Sequence, residues 1–165
     1  DTYFLIVSRL LAYKRIDIAI HAFNELELPL VIVGDGPDRD RLLNIAGPTI
    51  QFKGRLPRAE VCDYLARCRA LILPGEEDFG LTPLEAQASG RPVVAYRGGG
   101  AVETVLEGTT GWFFDEPTPQ SLVDMVQSID RHGIDAVDSA ALREHARAFD
   151  VSVFREKIAS VVSAS

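Results

Sequence analysis

This chain has few of the residues that carry metal or redox chemistry. Its two cysteines, Cys62 and Cys68, lie six apart without a CxxC and without a nearby histidine. That spacing argues against a zinc or dithiol centre and fits buried thiols in a reducing compartment. The three histidines, His21, His132 and His145, fall in helical patterns with no serine or cysteine partner at a strand end, which argues against a hydrolytic triad. No apolar run approaches the roughly 20 residues needed to span a bilayer, so the chain reads as soluble and cytoplasmic. Membrane-surface contact is left to parts outside it. With 17 Lys and Arg against 24 acids, and a net charge of −7, it lacks the broad basic face that a nucleic-acid backbone requires, although one phosphate group needs far less. No Walker A sequence occurs. The chain opens at Asp1 rather than Met and is in an apolar strand pattern by Tyr3, which leaves no room for a signal peptide and reads as a domain excised from something longer.

What is present is a core. At 165 residues and 47% hydrophobic, the chain can bury one sizeable interior and is most simply a single domain. Apolar runs of strand length at Tyr3–Val7, Leu30–Val33, Ile50–Phe52, Ala70–Leu73, Val93–Tyr96 and Trp112–Phe114 alternate with helical patterns. Those helices are read at Arg15–Leu26, Pro37–Ala46, Arg58–Arg67, Thr82–Ser89, Ala101–Glu107 and Pro119–Arg131, with a tail from Ala140 to Val162 in two pieces broken near Asp150. The alternation predicts an α/β fold: a Rossmann-like, doubly wound parallel sheet of about six strands covered on both faces.

Ligands of such sheets sit beyond the carboxyl ends of the strands. The most informative residues there are Glu77-Asp78-Phe79-Gly80-Leu81-Thr82-Pro83-Leu84-Glu85, which follow the fourth strand. Thr82, Pro83 and Glu85 match N-cap, N1 and N3 of a helix with a capping box, in which Glu85 reaches back to the helix start. A capping box needs no ligand, but it leaves Glu76, Glu77 and Asp78 as three adjacent, mutually repelling acids. The backbone N–H groups of Leu81 and Thr82 would face the strand's end, where the helix dipole favours phosphate. Glu77 stands where a sugar hydroxyl could reach it.

Other signals are weaker singly. Gly34-x-Gly36 after the second strand has the start of a dinucleotide fingerprint, but Arg39 stands at the third glycine position, so a tight turn at Gly36 with Pro37 at N1 is the simpler reading. Asp38-Arg39-Asp40 has the spacing of a metal-holding DxD, yet it falls in a first helical turn, where acids are expected from the dipole alone. Arg9 and Lys14, after the first strand, could neutralise a diphosphate without a metal ion, or could be solvated surface charges. Gly98-Gly99-Gly100 marks either a close backbone approach or a flexible helix entry.

Taken together, Ser8-Arg9-Leu10 with Tyr13-Lys14-Arg15, Val33-Gly34-Asp35-Gly36-Pro37, Phe52-x-Gly54-Arg55-Leu56, Glu77-Asp78-Phe79-Gly80 through Glu85-Ala86, and Gly90-x-Pro92-Val93 resemble the retaining glycosyltransferases of family 4, in order over roughly residues 2 to 115. Glu77 and Glu85 stand as that family's E-x7-E. The resemblance implies the C-terminal, donor-binding half of a two-domain GT-B enzyme, with the N-terminal acceptor-binding domain missing. It implies that Arg9 and Lys14 bind the donor diphosphate and stabilise the departing nucleotide, and that Leu81 and Thr82 donate backbone N–H bonds to phosphate. Glu85 would accept from the ribose hydroxyls. Glu77, with the backbone of Phe79 and Gly80, would hold the transferred sugar, and Arg55 and Leu56 would contact the base.

The implied partner is a nucleotide-sugar donor, and the implied reaction is metal-free hexose transfer with retention, without a cofactor and without turnover by the isolated chain. The Val7–Arg15 and Gly75–Gly80 stretches are similar to mannosyltransferase-like members that assemble surface polysaccharide, which favours GDP-mannose over a UDP-hexose. The competing readings are a non-catalytic nucleotide-binding or interaction module, and another GT-B activity such as a sugar-nucleotide epimerase or a phosphorylase.

Overall fold

A computed structural model describes residues 3–76, 81–134 and 137–150. Strands β1 (Phe4–Val7), β2 (Leu30–Val33), β3 (Ile50–Gly54), β4 (Leu71–Leu73), β5 (Val93–Tyr96) and β6 (Gly111–Phe114) form one six-stranded sheet in the order β3-β2-β1-β4-β5-β6. Every pairing in it is parallel. The expected fold class is therefore the observed one, and each strand lies within two residues of the apolar run that predicted it.

Period-two alternation sorts the strand side chains between two interiors. Phe4, Ile6, Leu30, Ile32 and Val94 pack into one cluster with α1 (Ile16–Leu26), α2 (Arg39–Ile45) and α6 (Pro119–His132). Leu5, Val31, Val33, Val93 and Ala95 pack into the other, which includes Leu65 of α3 (Arg58–Arg67), Ala86 of α4 (Leu81–Ala88) and Ala101 of α5 (Ala101–Thr104). Both faces of the sheet's central strands are covered, which is why those strands read as unbroken apolar runs, whereas β3 at the edge alternates with Gln51 and Lys53 exposed.

Several helix bounds differ from expectation for identifiable reasons. Arg15 stays outside α1 because its backbone is left-handed, at φ 50°. Pro37 is not N1 of α2. That helix starts at Arg39, because the Asp38 N–H is engaged by the Leu10 carbonyl at 3.1 Å. Helix α5 ends at Thr104 rather than Glu107, where the chain turns back: the Thr110 hydroxyl accepts from the Leu106 N–H at 2.8 Å, and Gly108 takes φ +75°. The first tail piece is α7 (Ser139–Arg147), capped by Asp138 accepting from the Ala140 N–H at 2.8 Å; the second lies outside the described residues. Of the two thiols, only Cys68 is buried; Cys62 is exposed, on the outer side of α3. Burial pushes the Cys68 thiol up to about 12. Among the described residues, no helix is long and apolar enough to cross a membrane.

The strand order fixes where a ligand can bind. The chain runs outward from β1 to β3 and returns to place β4 on the other side of β1. Loops leaving β1 and β4 therefore diverge, and a crevice opens between them at the carboxyl edge.

Candidate functional site

A cleft of about 610 Å³ occupies that edge, lined by Ser8 and Arg9 after β1, Gly34 to Gly36 after β2, Arg55 and Leu56 after β3, and Thr82 after β4. Its floor is apolar, formed by Val7, Val33 and Val61. Arg9 and Arg55 are both exposed, and no hydrogen bond or ion pair engages either guanidinium among the described residues. Two uncompensated cations over an apolar floor suit a ligand with an anionic part and a flat or apolar part.

Backbone interlocking holds the first three loops. Ser8 N–H donates to the Val33 carbonyl at 3.0 Å, Leu10 N–H to Asp35 at 3.1 Å, and Gly34 N–H to Gly54 at 2.8 Å. A Cβ at Gly34, where φ is +134°, would lie 1.8 Å from the Ser8 carbonyl oxygen, and one at Gly36 would lie 2.4 Å from that of Leu10. Gly34-x-Gly36 is thus explained by chain crossing chain. Gly36 has no positive φ, so the constraint there is space rather than conformation.

Lys14 lies across the same edge, at the end of a 3-10 turn over Ala12–Lys14. Its backbone presses on Gly75, where an added Cβ would meet the Lys14 carbonyl oxygen at 2.7 Å, and its ammonium sits 5.0 Å from the Tyr13 ring centre. Lys14 does not line the cleft. Tyr13, Gly75, Glu76 and Tyr96 instead line a neighbouring hollow of about 280 Å³.

On the β4 side, α4 is described from Leu81, so Thr82 lies inside the helix rather than at its N-cap and Pro83 is not N1. Leu81 and Thr82 are the first two described residues of α4. The capping box is not made: Glu85 Oε1 lies 3.2 Å from Nη2 of Arg58, the first residue of α3. Glu77, Asp78, Phe79 and Gly80 lie outside the described residues. Of the expected site residues, Arg9, Arg55, Leu56 and Thr82 share one cleft. Glu85 stands one turn below Thr82, on the same side of α4.

Asp38 of the DxD-like run makes a two-point contact with Arg41, at 2.7 Å to each carboxylate oxygen, and that guanidinium holds its carboxyl below the ordinary value. Its role is local, as its place at the helix start suggested. His145 Nε2 lies 3.1 Å from the Thr104 carbonyl oxygen, remote from the cleft. Ser8 and Asp35 stand in the strand-end motifs without an assigned role, whereas sequence reasoning missed Val61 as a cleft residue and Arg58 as the partner of Glu85. The only available signal for Arg58 was its place just after Arg55-Leu56-Pro57.

The comparisons agree with this geometry. A GDP-mannose-dependent alpha-mannosyltransferase of Mycolicibacterium smegmatis is 35% identical over 144 residues, 83% of this chain and 38% of that protein. The sulfoquinovosyl transferase SQD2 of Arabidopsis thaliana is 30% identical over 160 residues, 92% of this chain and 31% of that protein. Among solved structures, HepE of Anabaena in complex with UDP superposes with a TM-score of 0.86 at 25% identity, covering 100% of this chain and 49% of that one. HepE has also been solved with UDP-glucose. The chain thus spans between about a third and a half of each of these proteins. The family profile described as glycosyl transferases group 1 matches residues 1–147, and with the sheet order and the cleft in agreement, the chain belongs to that family.

Proposed function

We propose that this chain is the donor-binding half of a two-domain, retaining glycosyltransferase that transfers a hexose, with mannose favoured, from a nucleoside diphosphate to an acceptor hydroxyl without a metal ion. The cleft at the β1/β4 switch point carries this reading: it gathers Arg9, Arg55 and Leu56 from two loops and Thr82 from the start of α4. Arg9 and Lys14 neutralise the diphosphate, and Leu81 and Thr82 add backbone N–H donors at the positive end of the helix dipole. As the glycosidic bond breaks, charge builds on the leaving phosphate, and these preorganised groups stabilise it. Arg55 and Leu56 contact the base, and Glu85 accepts from the ribose. Glu77, with the backbone of Phe79 and Gly80, holds the sugar.

Similarity to a GDP-mannose-dependent enzyme, at 35% identity over 83% of the chain, supports GDP-mannose. The likeness to HepE, solved with UDP and UDP-glucose, favours a UDP-hexose as the second reading. The acceptor site belongs to the remainder of the protein, so the isolated chain binds nucleotide weakly and does not turn over.

The deciding experiment presents GDP-mannose and UDP-glucose separately to the full-length protein in EDTA and follows the anomeric proton of the product by NMR. Transfer from GDP-mannose with an α product supports the reading. An inverted product, or activity abolished by the chelator, overturns the mechanism, whereas preference for UDP-glucose overturns only the donor. A rearranged nucleotide sugar would identify an epimerase, and consumption of inorganic phosphate a phosphorylase. An interaction module would keep its partner after Arg9→Ala and Lys14→Ala and would show no turnover to lose.

A further inference from the structure

We infer that Arg58 is a positioning residue for the nucleotide's ribose, acting through Glu85; the inference rests on the donor-binding reading of the cleft. Sequence alone directs the Glu85 carboxylate back to its own helix start, where it would cover the very N–H groups that an anion needs. The structure turns it the other way, with Oε1 held 3.2 Å from Arg58 Nη2 across the gap between α3 and α4. Arg58 opens α3 directly after Arg55, Leu56 and Pro57, so the loop that lines the cleft also carries the group that aims the carboxylate.

Both side chains face water, at 83% exposure for Arg58 and 38% for Glu85, so the pair adds little to folding. Its consequences are directional and electrostatic. A carboxylate has about four acceptor positions, and a guanidinium on Oε1 leaves Oε2 open to a vicinal diol. An unpaired Glu85 would also stand as a bare negative charge one turn from a bound diphosphate. Pairing with Arg58 removes that repulsion while keeping the acceptor.

The test uses the full-length protein and titrates GDP and UDP, each beside its 2′,3′-dideoxy counterpart, by calorimetry. For the tighter of the two nucleotides, Arg58→Ala is expected to weaken binding about fivefold, the scale of an exposed ion pair, and to weaken the dideoxy form less, since that form meets only the restored repulsion of Glu85. Arg58→Lys should recover most of the loss, and in a Glu85→Gln background Arg58→Ala should change nothing further. An equal loss for the ribo and dideoxy forms, or no loss for either, overturns the role of Arg58 and leaves the cleft as a nucleotide site. If wild-type protein binds neither GDP nor UDP, the donor-binding reading falls and this inference falls with it.

Discussion

The two flanks of the carboxyl edge are held by different physics. On the β3-β2-β1 flank, loops are tied backbone to backbone, with Gly34 and Gly36 crushed against the carbonyls of Ser8 and Leu10. On the β4-β5-β6 flank, the loop after β5 has one such backbone tie, from the Arg97 N–H to the Phe114 carbonyl at 3.0 Å, and is held further by the Arg97 side chain, which bonds both Asp115 and Glu107 and lies 4.6 Å from the Phe113 ring centre. Backbone ties tolerate almost no change in shape but leave side chains free for ligands, so Arg9 and Arg55 remain uncommitted. Side-chain ties are screened by salt and yield to single substitutions. The first flank is a rigid frame for the cleft, and the second is more open to substitution.

The largest effect expected from breaking this contrast comes from Gly34→Ala. It places a Cβ 1.8 Å from a backbone oxygen at φ +134°, and should cost about 3 kcal/mol or more in denaturant unfolding. Arg9→Ala sharpens the contrast from the functional side. On the proposed mechanism it should lower kcat/KM of the full-length protein about a hundredfold, since it would remove a charge placed to act on the leaving phosphate. Unfolding should hardly move, because Arg9 is exposed and unpaired among the described residues. A mutant that loses stability instead would mean that the frame does use its side chains.

The amino edge of the sheet, where neither flank reaches, supplies the next effect. Burial raises Cys68 from 9.0 to about 12, and burial also raises Tyr3 from 10.0 to about 12. An acid with a raised folded pKa stays protonated in the fold while the unfolded chain ionises. Its contribution is complete below pH 9 and is lost as pH rises from 9 towards 12. Urea unfolding should therefore weaken by about 1 kcal/mol between pH 9 and 10, with Cys68→Ala flattening that slope. The smallest change belongs to Arg97→Ala. The expected loss is below about 1 kcal/mol at low salt and close to nil at about 1 M, as measured by thermal unfolding. A large, salt-independent loss would erase the distinction between the flanks.

Legibility from the sequence followed the range of the interaction. Central strands were readable because residues buried on both faces, such as Leu30-Val31-Ile32-Val33, leave an unbroken apolar signature within one run, and the edge strand β3 because Ile50 and Phe52 alternate with polar residues. Helix ends were less readable, because Pro37 and Asp38 answer to Leu10 and Thr104 to the turn at Gly108, partners that no local window contains. In the site, Arg9, Arg55 and Leu56 could be named in advance since each closely follows a strand, and Thr82 since it stands in a helix-start pattern. Their meeting in one cleft, with Lys14 beside Gly75 at its flank, could not.

Composition and periodicity alone were enough to specify a parallel α/β sheet and the edge where its ligands bind, because burial and strand direction are written residue by residue. Which way Glu85 turns was decided only in three dimensions. Its local partner is the helix start, its actual partner is Arg58 on another helix, and the choice between them depends on how α3 and α4 pack.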